Sequence, residues 1–160
     1  MLREAFVFFI SKLKEGGVES LERNYHLKLQ EMCDCYMETE FRKELQHMVG
    51  IVGDLEENGI KYLALALMCA VTEKAAKLSL KSKDGKVTVT VKGDEKLALP
   101  APSLPLFEKM VAIMRAILHL EDDKGKTALA LGLRSGDLEL QVKVERRPGK
   151  ESLKFLLPPL

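Results

Sequence analysis

The sequence predicts an α+β fold: N-terminal helices, then a duplicated helix–hairpin–strand unit whose strands form a mainly antiparallel sheet backed by helices. Three observations predict it. First, an apolar helical pattern over 61–76 leads into alternating strand patterns that turn at Asp84-Gly85 and close at Lys96–Pro100. Second, the same order returns. A helix over Leu104–Leu120 precedes a hairpin over Thr127–Val144, turning at Ser135-Gly136-Asp137, and a closing strand over Glu151–Pro158. Third, both hairpins turn at glycine, and Asp-Gly favours the primed two-residue turns that match strand twist. The expected organisation is a helical extension over 1–58 and the duplicated unit over 59–160.

The elements follow in order. Residues 2–14 place Leu2, Ala5, Phe6, Phe9, Ile10 and Leu13 on one helical stripe, with Gly16-Gly17 as the stop. Leu21, Tyr25, Met32 and Tyr36 predict a helix over 18–37, although His26–Gln30 also alternates like a short strand; length favours the helix. Thr39 is expected to cap a third helix that buries Phe41, Leu45, Met48, Val49, Val52 and Leu55. That helix contains Gly50 and Gly53 and ends at Glu56-Glu57-Asn58-Gly59. The 61–76 helix is apolar nearly all round (Leu63, Leu65, Leu67, Met68, Cys69, Val71), the mark of a central buried helix. Val87, Val89 and Val91 alternate with Thr88 and Thr90, as Leu138, Leu140, Val142 and Val144 do with polar residues, so the sheet has one buried and one wet face. Pro100, Pro102 and Pro105 form a stiff connector that starts the second long helix.

Composition narrows the function classes. A chain of 160 residues, 46% hydrophobic, suits one domain with its own core. With 25 basic against 24 acidic residues, nothing in the net charge draws the chain to nucleic acid or an anionic membrane. Three cysteines, two of them the closely spaced Cys33 and Cys35, fit a reducing cytoplasm better than a disulfide scaffold. The apolar start carries Glu4 and lacks a cleavage pattern, and no run approaches the roughly 20 apolar residues of a membrane span. The expected location is cytoplasmic.

The stretch from about 60 to 157 resembles the domain that precedes the motor core in type II secretion and type IV pilus assembly ATPases. The matching segments are Ala75–Leu80, Asp84-Gly85, Leu97–Pro100, Ala112–Ile117, Leu131–Val142 and Gly149–Leu157. Lys77 and Ser79 stand where that family carries acidic and histidine residues, and His119–Lys126 replaces its arginine-rich segment. No Gly-x-x-x-x-Gly-Lys-Ser/Thr loop is present, so no backbone cradle for phosphates is expected. The resemblance implies the accessory half without its motor: a non-enzymatic adaptor or regulator that works through protein contacts, with secretion or pilus machinery or a second copy as partner.

Candidate chemistry is sparse. Cys33-Asp34-Cys35 with His26 and His47 is the one metal-like group, but a single intervening residue is atypical of zinc sites and points the thiols apart on a helix. Glu121-Asp122-Asp123 lacks the alternating ligands of a calcium loop. No catalytic residue, cofactor site or metal site is assigned. The expected partner-binding residues are Phe6, Phe9 and Ile10 on the first helix, with Arg134, Arg146 and Arg147 on the second unit. Glu139, Glu145 and Asp137 interrupt the second hairpin's surface, so no clean basic stripe for nucleic acid is read from it. The alternative function is a small nucleic-acid- or ligand-binding module, which requires a contiguous basic sheet face.

Overall fold

The apolar periodicities fold into a helical layer on one six-stranded sheet in the computed structural model, which describes residues 14–37, 39–51 and 53–158, with side chains from Tyr25 onward. The elements are α1 (Lys14–Cys35), α2 (Phe41–Met48), α3 (Leu55–Thr72), β1 (Lys77–Lys83), β2 (Lys86–Lys92), β3 (Lys96–Leu99), α4 (Leu104–Leu118), β4 (Lys124–Leu133), β5 (Gly136–Arg147) and β6 (Lys150–Leu156). The strand order is β3-β2-β1-β6-β5-β4, antiparallel throughout. This is the expected α+β arrangement.

Helix α3 is the hub. Ile60 and every residue from Tyr62 to Ala70 are buried, because α1, α2, α4 and β1 all pack against it. The Tyr62 hydroxyl meets the demand of its buried position by donating to the Pro100 carbonyl. From the sheet, Leu78, Leu80, Val89, Val91, Leu140, Val142, Val144, Leu153 and Phe155 close the same core. Leu80 faces Leu153, and Leu78 faces Phe155, across the β1–β6 pairing that joins the two units.

Turn chemistry follows the sequence. Asp84 and Gly85 both take positive φ between β1 and β2, the backbone of a primed hairpin turn. Ser103 accepts a hydrogen bond from the Leu106 amide and caps α4, with Pro105 in its first turn.

Several expectations are corrected. Helix α1 runs through Gly16 and Gly17, which therefore do not end a helix; residues 1–13, with the predicted 2–14 stripe, lie outside the described region. The third helix stops at Met48, because Val49 turns extended and Gly50 and Gly53 adopt left-handed φ values. Thr39 does not cap it: its hydroxyl donates to the Tyr36 carbonyl, and Glu40 occupies the cap position without a side-chain bond. Glu56-Glu57-Asn58-Gly59 opens α3 instead of ending its predecessor. The Asp54 carboxylate accepts from the Glu56 and Glu57 amides, and the two glutamates suit a helix N-terminus. Val49 and Leu55, expected inside, are exposed, and Val52 is not described. The boundary expected at 58/59 falls inside α3.

The two units also do not superpose. Across the sheet each runs third strand, second, first in the same direction, but with strand directions reversed. A rotation that reverses the strands and keeps their order exchanges the faces of the sheet, whereas α3 and α4 pack together on one face. A true twofold would give β3-β2-β1-β4-β5-β6. The duplication is thus one of element order, not of spatial arrangement.

Candidate functional site

Every second residue of these strands points away from the helices, and register decides what those residues build together. Cross-strand partners share a face, with Cβ atoms about 5 Å apart. On the outer face, Lys96, Lys92 and Lys77 form one row over β3, β2 and β1. A second runs Thr90, Ser79, Lys154, Lys143, Lys126 from β2 to β4. A third holds Thr88, Lys81, Ser152, Glu145 and Lys124. The fourth holds Lys86, Lys83, Lys150 and Arg147.

The outer face therefore carries twelve cations against three strand carboxylates, Asp137, Glu139 and Glu145. In a chain of net charge +1 this is a strong segregation. Seven directly opposed pairs are both cationic: Lys77–Lys92, Lys92–Lys96, Lys83–Lys86, Lys83–Lys150, Lys150–Arg147, Lys143–Lys154 and Lys126–Lys143. On this face Lys124–Glu145 is the one opposed pair of opposite sign. Like charges facing each other across strands are destabilising. Lys81 shows the field: partial desolvation and then the charges of Lys154, Lys150, Lys77 and Lys96 lower its pKa.

Part of the face is recessed. A hollow of about 410 Å³ is lined by Lys124, Lys126, Lys143, Lys154, Ser152 and Glu145. Glu145 is already engaged by Arg147, whose hydrogen bond is the chief reason its carboxyl pKa is lowered. The four lysines around the hollow have no ion pair among the described residues.

The sheet edges are treated differently from the face. Along α1, His26, Gln30 and Asp34 recur every four residues and meet the free edge of β4. His26 Nε2 lies 2.8 Å from the Ala130 carbonyl, Gln30 Oε1 accepts from the Gly132 amide, and Asp34 Oδ1 accepts from the Arg134 amide. This clasp blunts an edge that could otherwise pair with another chain. At the opposite edge a groove of about 670 Å³ lies between α2, the end of α3 and β3, lined by residues that include Phe41, His47, Cys69, Leu97 and Leu99.

The residues singled out from the sequence are scattered. Arg134 sits at the β4–β5 turn beside Asp34, Arg146 pairs with Glu151, and Arg147 pairs with Glu145 on the outer face. Arg146 and Arg147 lie on opposite faces of β5. Phe6, Phe9 and Ile10 lie outside the described residues. Cys33 is buried and Cys35 exposed, all three cysteines are free thiols, and no group of metal-ligating residues assembles among the described residues. No described helix is long and apolar enough to cross a membrane.

No protein-family model and no curated protein matches the chain. The lysine face therefore has to be understood from its own geometry. The signal for it was present strand by strand, in Lys77, Ser79, Lys81, Lys83 and in Lys150, Ser152, Lys154, but the register that joins those strands is not local in sequence.

Proposed function

We propose that this protein binds the phosphate backbone of nucleic acid on the open face of its sheet, by contact and without catalysis. The observation that carries the reading is the set of seven opposed cationic pairs. Edge lysines alone would be ordinary protection against aggregation. The central strands β1 and β6 need no such protection, yet they carry Lys77, Lys81, Lys83, Lys150 and Lys154. A polyanion laid on this face relieves the repulsion and releases its own condensed counterions.

The chemistry of the face selects among polyanions. Eleven of the twelve cations are lysines, point charges suited to phosphate, and the one arginine is committed to Glu145. Bidentate base reading is therefore not built in, and binding is expected to be indifferent to sequence. Protein interfaces favour arginine and aromatic anchors and are depleted in lysine. The strands' outward apolar side chains are Ala98, Ala128, Ala130 and Leu156, too small or too few to insert into a bilayer. The same lack of aromatic side chains removes a stacking platform for single strands and favours duplex. Six strands about 4.8 Å apart span roughly 24 Å, enough for about seven base pairs of 3.4 Å rise.

The adaptor role implied by the likeness to pre-motor domains rests on Arg134, Arg146 and Arg147, each engaged within the chain, and on Phe6, Phe9 and Ile10. The lysine face is the better supported surface. Its test is a salt titration of binding to a labelled duplex of about 20 base pairs. We expect affinity to fall steeply with salt, with the log–log slope reduced by about one for each lysine replaced by glutamine. Binding that is absent at low salt, or unchanged when Lys83, Lys150 and Lys154 are all replaced, overturns the proposal.

A further inference from the structure

Ser79 lies at the centre of the outer face. On β1 it stands between Lys77 and Lys81, and it is opposed by Thr90 of β2 on one side and Lys154 of β6 on the other. An outward hydroxyl on an open sheet face ordinarily reaches water. Ser79 is instead 5% exposed, and its Oγ has no hydrogen-bond partner. A buried hydroxyl left unpaired is unfavourable, and such a group calls for an explanation. The charged residues next to it on this face, Lys77, Lys81 and Lys154, are all cationic, so positive charge flanks the hydroxyl that lacks an acceptor.

We infer that Ser79 and the lysines around it form a discrete phosphate subsite, in which the Ser79 hydroxyl donates to a phosphate oxygen while Lys77, Lys81 and Lys154 neutralise its charge. The neighbouring Thr90 supplies a second hydroxyl on the same row. The flexible lysine stems move aside to admit the anion, and what they cover in the free protein becomes the floor of the site. The inference rests on the nucleic-acid reading only for the source of the phosphate, a backbone group rather than a free anion.

The test compares wild type with Ser79→Ala and Ser79→Thr, using the duplex and inorganic phosphate as separate probes and backbone amide shifts as the readout of position. Ser79→Ala removes an unpaired buried hydroxyl, so it is expected to melt no lower than wild type. It is expected to bind the duplex about tenfold more weakly, the worth of one hydrogen bond to a charged oxygen. Ser79→Thr, which keeps a hydroxyl, should recover most of the affinity. Equal duplex affinity in wild type and Ser79→Ala overturns the subsite and leaves the lysine-face reading standing. Phosphate-induced shifts centred on Ser79 in a protein that does not bind the duplex support the subsite and overturn the nucleic-acid reading.

Discussion

The two faces of one sheet are built from neighbouring residues of the same strands and obey opposite rules. On the inner face, opposed partners such as Leu80–Leu153, Leu78–Phe155 and Val142–Phe155 are complementary, and each is fully or nearly fully buried. On the outer face, opposed partners such as Lys83–Lys150 and Lys143–Lys154 repel. The inner face holds the fold together. The outer face is tolerated because burial behind it, at roughly 25 cal/mol per Å² of apolar surface, outweighs repulsions of a few tenths of a kcal/mol per pair. A surface kept against its own stability is where function is to be sought.

The largest expected effect sets one face against the other at adjacent positions. Val89 is 1% exposed and packs in the core, whereas Thr88 is exposed on the outer face opposite Lys81. Val89→Asp buries an unpaired carboxylate, a loss of several kcal/mol that should unfold the protein or leave it unable to melt cooperatively. Thr88→Asp places a negative charge beside lysines and should melt at or above the wild-type temperature. Equal melting temperatures for the two variants would break the comparison at its root.

The two sides also respond to pH with opposite sign. Under the inner face, burial pushes the Cys33 thiol up to about 12, with the Asp34 charge adding to the shift, and burial likewise raises Cys69 and Tyr62. The unfolded thiol releases its proton near 9 while the folded one holds it to about 12. Between those values the unfolded state binds fewer protons, so stability falls as pH rises. Lys81 runs the other way: its lowered pKa means the folded state sheds a proton first, and repulsion on the outer face eases as pH rises. Lys81 is exposed, so the buried acids should dominate. Denaturant unfolding followed from neutral pH to about pH 11 should show a net loss above pH 9. A net gain there would mean that the lysine field outweighs the buried thiols and phenol.

What could be read from the chain divides along the same line. The inner face was legible because burial leaves a period of two, and the hairpin turn at Asp84-Gly85 because positive φ selects glycine and its partner. The break after Met48 is not legible in the sequence, because glycine inside a helical pattern can be either a flaw or a stop. Gly59 stays helical since a Cβ there would stand 3.1 Å from Ile113 Cδ1, so close packing by α4 justifies it, while Gly50 and Gly53 take left-handed φ and end the pattern. Asp54 is hard to read as a cap from the sequence, since the Glu56-Glu57 pair that reinforces the first turn of α3 also resembles the polar end of the preceding helix. The charge of the outer face is masked in the second hairpin's own sequence, where Glu139 and Glu145 dilute the lysines. The β1–β6 pairing joins strands from opposite ends of the sheet-forming sequence, Lys77 with Leu156 and Lys83 with Lys150, and local periodicity does not encode it.

The smallest expected effect is the one that separates stability from function most cleanly. Lys143 opposes two cations at once, Lys126 on β4 and Lys154 on β6. Lys143→Glu converts both repulsions into attractions, and each opposed pair contributes on the order of 0.2–1 kcal/mol. The variant should therefore be more stable than wild type by up to about 1 kcal/mol at low salt. That gain should shrink as added salt shortens the screening length toward the spacing of the side chains. Duplex affinity should move the opposite way, falling even as the protein becomes harder to unfold. Were Lys143 merely a solvating residue, the substitution would leave both quantities within about 0.5 kcal/mol of wild type and insensitive to salt. A variant that gains stability and keeps its affinity would show that the lysines repel for no purpose the face serves. One that gains stability and loses affinity ties the repulsion to the ligand.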